Sequence, residues 1–238
     1  MKPKKIAKII IGVIVFFTLP SLLFFGYVYL KYDEDLPIGT KGEQAEQMAT
    51  KMLSALDYEA YKNTNYIEWT FKNRHHYQWK KNEETCTVHW EDYKVDLNLK
   101  DASKSKTYIH NFEVQGEQAA ELITKATDYF NNDSFWLVAP YKVFDSGTER
   151  SVVTLENGKL GLLVTYTSGG TTPGDSYLWI LDDKGKPTSF KMWVSILPIK
   201  GLEATWKDWT TTESGAQLPT FHKLMILGLQ ITDIKGKN

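Results

Sequence analysis

The sequence predicts a mainly β (α+β) protein: one large curved antiparallel sheet of half-barrel type, covered by two helices and preceded by one transmembrane helix. Three observations lead there. An almost unbroken apolar run occupies Ile6 to Leu30. Behind it, apolar and polar residues alternate with period two over many short segments, the pattern of half-buried antiparallel strands. Helical spacing interrupts that alternation twice, and the βαβ order that would announce a parallel sheet is missing.

The apolar run comes first. Ile9 to Leu30, roughly 22 residues broken by Thr18, Pro20, Ser21 and two glycines, makes a helix of about 33 Å, close to the roughly 30 Å thickness of bilayer hydrocarbon. Pro20 is tolerable, because in lipid a proline kinks a helix more often than it ends it. Lys2, Lys4, Lys5 and Lys8 precede the run, and Asp33-Glu34-Asp35 follow it. This charge asymmetry predicts a cytoplasmic N-terminus, with the rest of the chain outside the cytoplasm (periplasmic in a two-membrane envelope). Tyr27, Tyr29 and Tyr32 mark the far interface. A cleaved signal peptide would need a shorter core and a small-residue cleavage site, and Phe24-Phe25-Gly26-Tyr27-Val28-Tyr29 offers none. The chain therefore divides into lysines and anchor (1–31), a short linker (32–42) and one domain (43–238).

Composition bounds that domain. With 28 basic and 29 acidic residues, there is no electrostatic case for nucleic acid. Cys86 is the sole cysteine, so an exported domain has no internal disulfide and depends on its core. Eight Trp, thirteen Tyr and eleven Phe suit a β-rich core or a surface that holds something apolar.

Thr40 and Glu43 have the spacing of a capping box. A helix should follow on the stripe Ala45, Met48, Ala49, Met52, Leu53, Leu56 and Ala60. Four alternating runs come next: Ile67-Trp69-Phe71, Tyr77-Trp79, Cys86-Val88-Trp90 and Tyr93-Val95-Leu97-Leu99. Hairpin-length breaks separate them, as in a meander covered on one side. A fifth strand is expected over Lys106 to Phe112. A second helix is expected over Gly116 to Phe130, ended by Asn131-Asn132-Asp133. Phe135 to Phe144 contains Pro140 and reads as a packed loop or short helix. Strands then recur at Ser151–Glu156, Leu160–Thr167, Ser176–Leu181, Ser189–Ile196, Glu203–Thr211, Leu218–Met225 and Leu229–Ile234. Leu160–Val164 and Leu178–Leu181 are apolar on both faces and so predict central strands. Tyr166 to Asp175, with its Gly169–Gly174 core, reads as a rim loop.

The blocks Trp69-Thr70-Phe71, His75-His76-Tyr77-Gln78-Trp79, Trp90 with Tyr93-Lys94-Val95, Lys191-Met192-Trp193-Val194, Thr205-Trp206 and Leu218-Pro219-Thr220 resemble an uncharacterised family of membrane-anchored proteins of Bacteroidetes-type bacteria, over most of residues 45–234. No activity comes with that resemblance. In element order the domain also resembles the LolA/LolB group of periplasmic lipoprotein carriers, which implies an open half-barrel, capped by helices, that holds acyl chains. Those carriers are soluble or lipid-anchored, whereas this chain keeps a spanning helix, and no acyl-contact residue is carried over.

Catalytic and metal signals are weak. His75 and His76 are adjacent on a strand and point to opposite faces, so a metal would need His89 or His110 as well. No H-E-x-x-H, Cys/His cluster, P-loop lysine or G-x-S-x-G elbow occurs. Cys86 sits on an apolar strand face, where a thiol is usually inert. No catalytic residue, metal or cofactor is therefore expected. The residues expected to line an apolar ligand are Trp69, Phe71, Tyr77, Trp79 and Trp90 of the first meander, with Trp193 and Trp206. Trp193 shares its strand face with Lys191 and Ser195, and Trp206 and Trp209 fall on opposite faces of one predicted strand. The expected function is non-enzymatic binding of a lipid or other amphiphile beside the membrane, with a lipoprotein acyl chain as one such ligand. Capture would proceed by displacement of a helix or of the Gly169–Gly174 loop. The alternatives are a structural or assembly subunit with an envelope protein partner, and a hydrolase whose site has no linear signature.

Overall fold

The computed structural model describes residues 3–168 and 172–238. Helix α1 (Pro3–Tyr32) is followed by α2 (Glu43–Ala55) and a short α3 (Tyr58–Asn63). A meander comes next: β1 (Tyr66–Phe71), β2 (His75–Lys80), β3 (Thr85–Trp90), β4 (Tyr93–Asn98), β5 (Lys106–Ile109) and β6 (Phe112–Val114). Helix α4 (Glu117–Val138) separates it from β7 (Thr148–Thr154), β8 (Leu160–Tyr166), β9 (Ser176–Leu181) and β10 (Pro187–Trp193). The chain closes with β11 (Leu202–Thr205), β12 (Asp208–Thr211), β13 (Gln217–Leu224) and β14 (Leu227–Lys237).

All fourteen strands form one antiparallel sheet in the order β6-β5-β4-β3-β2-β1-β14-β13-β11-β10-β9-β8-β7, with β12 beside β13. The last strand, β14, pairs with β1 from Tyr66↔Lys237 to Phe71↔Ile231 and joins the two meanders. Period-two patterning fixes the register here, because a slip of one residue would turn every inward side chain outward. β8 and β9 lie inside the strand order, as their two-sided apolar composition predicts. Leu162, Val164 and Trp179 face the main core, while Leu163 and Leu178 form a smaller cluster with Val153 and Trp193 on the other face.

Helix α4 lies against β4, β5 and β13, and α2 against β7 and β8. Both contribute to one continuous core. Arg150 of β7 ties the start of α2 through Glu46 (2.9 Å).

Several elements differ from expectation. The capping box does not form: Thr40 bridges to Val152 instead, and Gly42 occupies the N-cap. The first predicted helix breaks at Asp57, which takes φ 53 and caps α3 by accepting from Ala60 N. The second continues eight residues past Phe130, and a 3-10 turn over Ala139–Lys142 absorbs Pro140. Packing overrides the polar Asn131-Asn132-Asp133 stop, because Asp133 is itself buried against the sheet. The fifth strand is a hairpin, β5–β6, turning at His110-Asn111. Glu203–Thr211 is two strands, and Trp206 and Trp209 lie together, with ring centroids 6.0 Å apart and Trp209 Nε1 donating to Trp206 O. Part of the predicted rim loop, residues 169–171, lies outside the described residues.

The predicted linker is a strap. Glu34 N donates to Lys200 O, Lys191 Nζ pairs with Glu34 at 2.7 Å, and Trp193 Nε1 donates to Glu34 O. Six residues on, Thr40 pairs with the free edge of β7. Crossing from β10 to beyond β7 covers about 19 Å at roughly 4.8 Å per strand, within the reach of six extended residues. Gly39 is required there, because a Cβ would lie 2.7 Å from Ser151 Cβ.

Candidate functional site

The predicted ligand-lining residues separate into three places. Trp69, Phe71, Tyr77 and Trp90 are buried beneath α4, and Trp79 is half-buried beside them. Trp69 stacks on Tyr77 at 4.4 Å, and Phe130 of α4 packs edge-on to Trp79 at 5.3 Å. Trp206 belongs to a second aromatic group with Trp179 and Phe190. Trp193 is on the opposite face of the sheet, in the cluster beside the strap. A ligand touching Trp69, Tyr77 or Trp90 must therefore displace α4, whereas Phe71 also borders an open cleft. Among the described residues, the indole N–H groups of Trp69, Trp90, Trp179 and Trp206 have no protein acceptor, a cost of about 1–3 kcal/mol for each unsatisfied buried donor.

The most developed polar site lies at the edge of that aromatic group. Asp133 on α4 is 2 % exposed. Its Oδ2 accepts from the Tyr77 hydroxyl at 2.6 Å and lies 2.7 Å from His75 Nδ1, while Oδ1 accepts from Asn132 Nδ2 at 2.8 Å. His75 stacks on Tyr129 with ring centroids 3.9 Å apart. Burial, reinforced by the Asp133 charge, pushes the Tyr77 hydroxyl far above the ordinary phenol range, so it remains a donor. Strand alternation turns His76 the other way, to Thr70 Oγ1 at 2.9 Å.

A cleft of about 310 Å³ opens beside this network. Its walls are Phe71, His75, Tyr129 and Asp133, and its mouth carries Lys72, Arg74, Asp128 and Asn132. The β1–β2 turn holds the mouth open: Lys72 and Asn73 both take φ 53, and Arg74 N closes the turn on Phe71 O. A carboxylate–imidazole pair resembles part of a catalytic dyad, but the lining contains no Ser, Thr or Cys to receive activation. Burial drives the Cys86 thiol well above its usual range, so it is no nucleophile at neutral pH. Among the described residues no three His, Cys, Asp or Glu side chains gather as a metal site. A second cleft of about 380 Å³ lies between α2, α3 and Phe144, with Thr50, Ser54, Asp57 and Glu59 in its wall.

Sequence reasoning missed Asp133 and Tyr129. The signal was present in α4's own spacing. Leu122, Ala126, Tyr129, Asp133 and Leu137 step by threes and fours, which puts a carboxylate on the buried stripe if the helix runs on.

Fold and cleft together define the class: a mainly β, helix-plugged open sheet that carries one N-terminal helix long and apolar enough to span a membrane or act as a signal anchor. No family model matches the chain, and no curated protein matches it. Among solved structures, the chain is similar to a DUF1329 family protein from Desulfovibrio piger ATCC 29098, with a TM-score of 0.40 and 7 % identity over 82 % of this chain and 94 % of that one. Likeness at that level carries neither family membership nor activity.

Proposed function

We propose that the protein is a non-enzymatic binding module held at its own membrane, outside the cytoplasm, and that its ligand is a lipid or other amphiphile. The polar end of the ligand enters the cleft between α4 and the β1–β2 turn. The observation that carries this reading is the pairing of aromatic walls, Phe71 and Tyr129, with two exposed cations, Lys72 and Arg74, in one cleft. Its volume sits at the lower end of the roughly 300–1,000 Å³ typical of small-ligand sites, which suits a headgroup rather than a whole acyl chain. The apolar part then stays in the bilayer or moves beneath α4, among Trp69, Tyr77 and Trp90. The LolA/LolB-like element order supports the amphiphile part of the reading by fold analogy alone.

A second reading rests on a separate observation. Strand β6 ends the sheet order, and its Phe112 is 77 % exposed, so a partner could add a strand at that edge. Native mass spectrometry of the gently extracted full chain separates the two. The first reading expects a one-to-one lipid-mass adduct that is lost in Arg74→Glu. A stoichiometric protein adduct supports the second, and bare protein contradicts the first.

A further inference from the structure

Two neighbouring turns end on exposed apolar side chains at the end of the sheet where the anchor arrives. Ile196, in the β10–β11 connection, is 68 % exposed. Ile226 and Leu227, at the tip of the β13–β14 hairpin, are 83 % and 59 % exposed. Register makes them neighbours: Ala204 of β11 pairs with Leu224, which brings the hairpin tip beside the start of β11, the strand into which the Ile196 loop leads. The β1–β2 turn, with Lys72 N bonded to Gln230 O, stands at this same end.

The hairpin tip breaks the usual chemistry of exposed turns. The hairpin tip is Met225-Ile226, and Met225 takes φ 53, a conformation that Gly or Asn adopts at less cost. An apolar pair is therefore kept where turn preference points to polar or glycine residues. Singly exposed apolar residues need no explanation, but these stand at the end of the sheet to which the chain is bonded just beyond a helix that is itself apolar enough to span a bilayer.

The anchor is fastened to this rim. Lys200 N donates to Asp33 Oδ1 at 2.8 Å, and Glu34 N donates to Lys200 O at 3.1 Å. Val28 of α1 is 4 % exposed and belongs to the same core cluster as Ile199 and Leu202. The apolar run continues to Leu30, two residues beyond Val28, or about 3 Å along the helix. A bilayer that takes up α1 as far as Leu30 thus reaches past the level at which Val28 is buried in that core. The strap to Lys191 and Trp193 keeps the sheet from lifting away.

We infer that this rim is a membrane-contact surface: Ile196, Ile226 and Leu227 enter the interfacial zone of the bilayer that α1 crosses, and so set the domain's tilt. Interfacial insertion of apolar side chains typically reaches about 5–10 Å into the headgroup boundary. The inference deepens the proposed function, since it turns the Lys72–Arg74 mouth toward the headgroups, and it rests on α1 being a membrane span.

Nitroxide labels at Ile196→Cys, Ile226→Cys, Lys184→Cys and Leu23→Cys, each in the full chain in nanodiscs of phosphatidylethanolamine and phosphatidylglycerol, test it by their accessibility to oxygen and to a polar nickel relaxant. Lys184, in the β9–β10 turn, is at the opposite end of the sheet, and Cys86, 1 % exposed, stays unlabelled. Oxygen should dominate at positions 23, 196 and 226, and nickel at 184. If 23 favours oxygen while 196 and 226 behave like 184, the rim inference is overturned and the anchor stands. If 23 itself favours nickel, the anchor reading falls and the rim falls with it.

Discussion

Replacing Asp133 with alanine tests whether α4 is fixed to the sheet through its buried carboxylate. The side chain accepts from the Tyr77 hydroxyl and faces His75 Nδ1, and Tyr77 is fully buried. Removing it strands a phenol donor in an apolar interior and leaves the half-buried imidazole without its partner. Leaving a buried donor unsatisfied costs about 1–3 kcal/mol, and at roughly 2–4 °C per kcal/mol for a chain of this size the melting point should fall by roughly 2–12 °C. Tyr77→Phe removes the donor as well as the bond, so the double variant should be less destabilised than the sum of the two single changes. The expected coupling is about 1.5–3 kcal/mol, the range for a hydrogen bond to a charged group. Denaturant unfolding of the detergent-solubilised full chain, followed by tryptophan fluorescence, reads all four corners of the cycle. Trp69 is a suitable reporter because it stacks on Tyr77. A loss below about 1 kcal/mol in Asp133→Ala, with additivity within about 0.5 kcal/mol, would refute the claim that this network holds α4 in place.

Two other outcomes follow from named contacts. Burial holds the His222 imidazole below its usual range, although its ring nitrogens lie 2.7 Å from the carbonyls of Thr205 and Trp136, and burial lowers His89 in the same direction. The two carbonyls favour the protonated ring, since a neutral one has a single N–H to donate. Burial outweighs them, and folded His222 takes up its proton at lower pH than the unfolded chain does. Stability is full above about pH 6.5 and falls as pH drops from there toward the folded value. Unfolding midpoints between pH 7 and 5 should decline in the native sequence and flatten in His222→Gln; a rise on acidification would contradict the assignment. In the strap, Gly39→Ala drives a methyl group into Ser151. Trypsin should then cut faster at Lys41, and Ser151→Gly in the same chain should restore resistance; unchanged cleavage in Gly39→Ala would show that the strap does not depend on this contact.

Much of the fold was legible because strand alternation is a local signal. The four runs from Ile67 to Leu97 and the doubly apolar Leu160–Val164 and Leu178–Leu181 identify the sheet and its central strands from residue spacing alone. What local pattern cannot carry is pairing across the chain. That β14 returns to β1, joining residues 66 and 237, and that 33–40 is a strap rather than a free linker, both depend on contacts far apart in sequence. The cleft was hidden for a related reason. Asn131-Asn132-Asp133 has the composition of a helix stop, and only packing against Tyr77 and His75 makes it worthwhile to carry the helix through. The tryptophans show the limit of face assignment: alternation puts Trp193 opposite Phe190 and Met192, but only the structure shows Glu34 O meeting its indole.

The central claim, an amphiphile held at the cleft beside the membrane, is tested most directly by photo-crosslinking from within it. With p-benzoylphenylalanine in place of Tyr129 in the full chain, irradiation in native membranes followed by intact-mass analysis should yield an adduct of lipid or lipopeptide mass, diminished when Lys72 and Arg74 are changed to glutamate. Crosslinks to protein alone, or none above those formed by the same probe at Lys184, would contradict it.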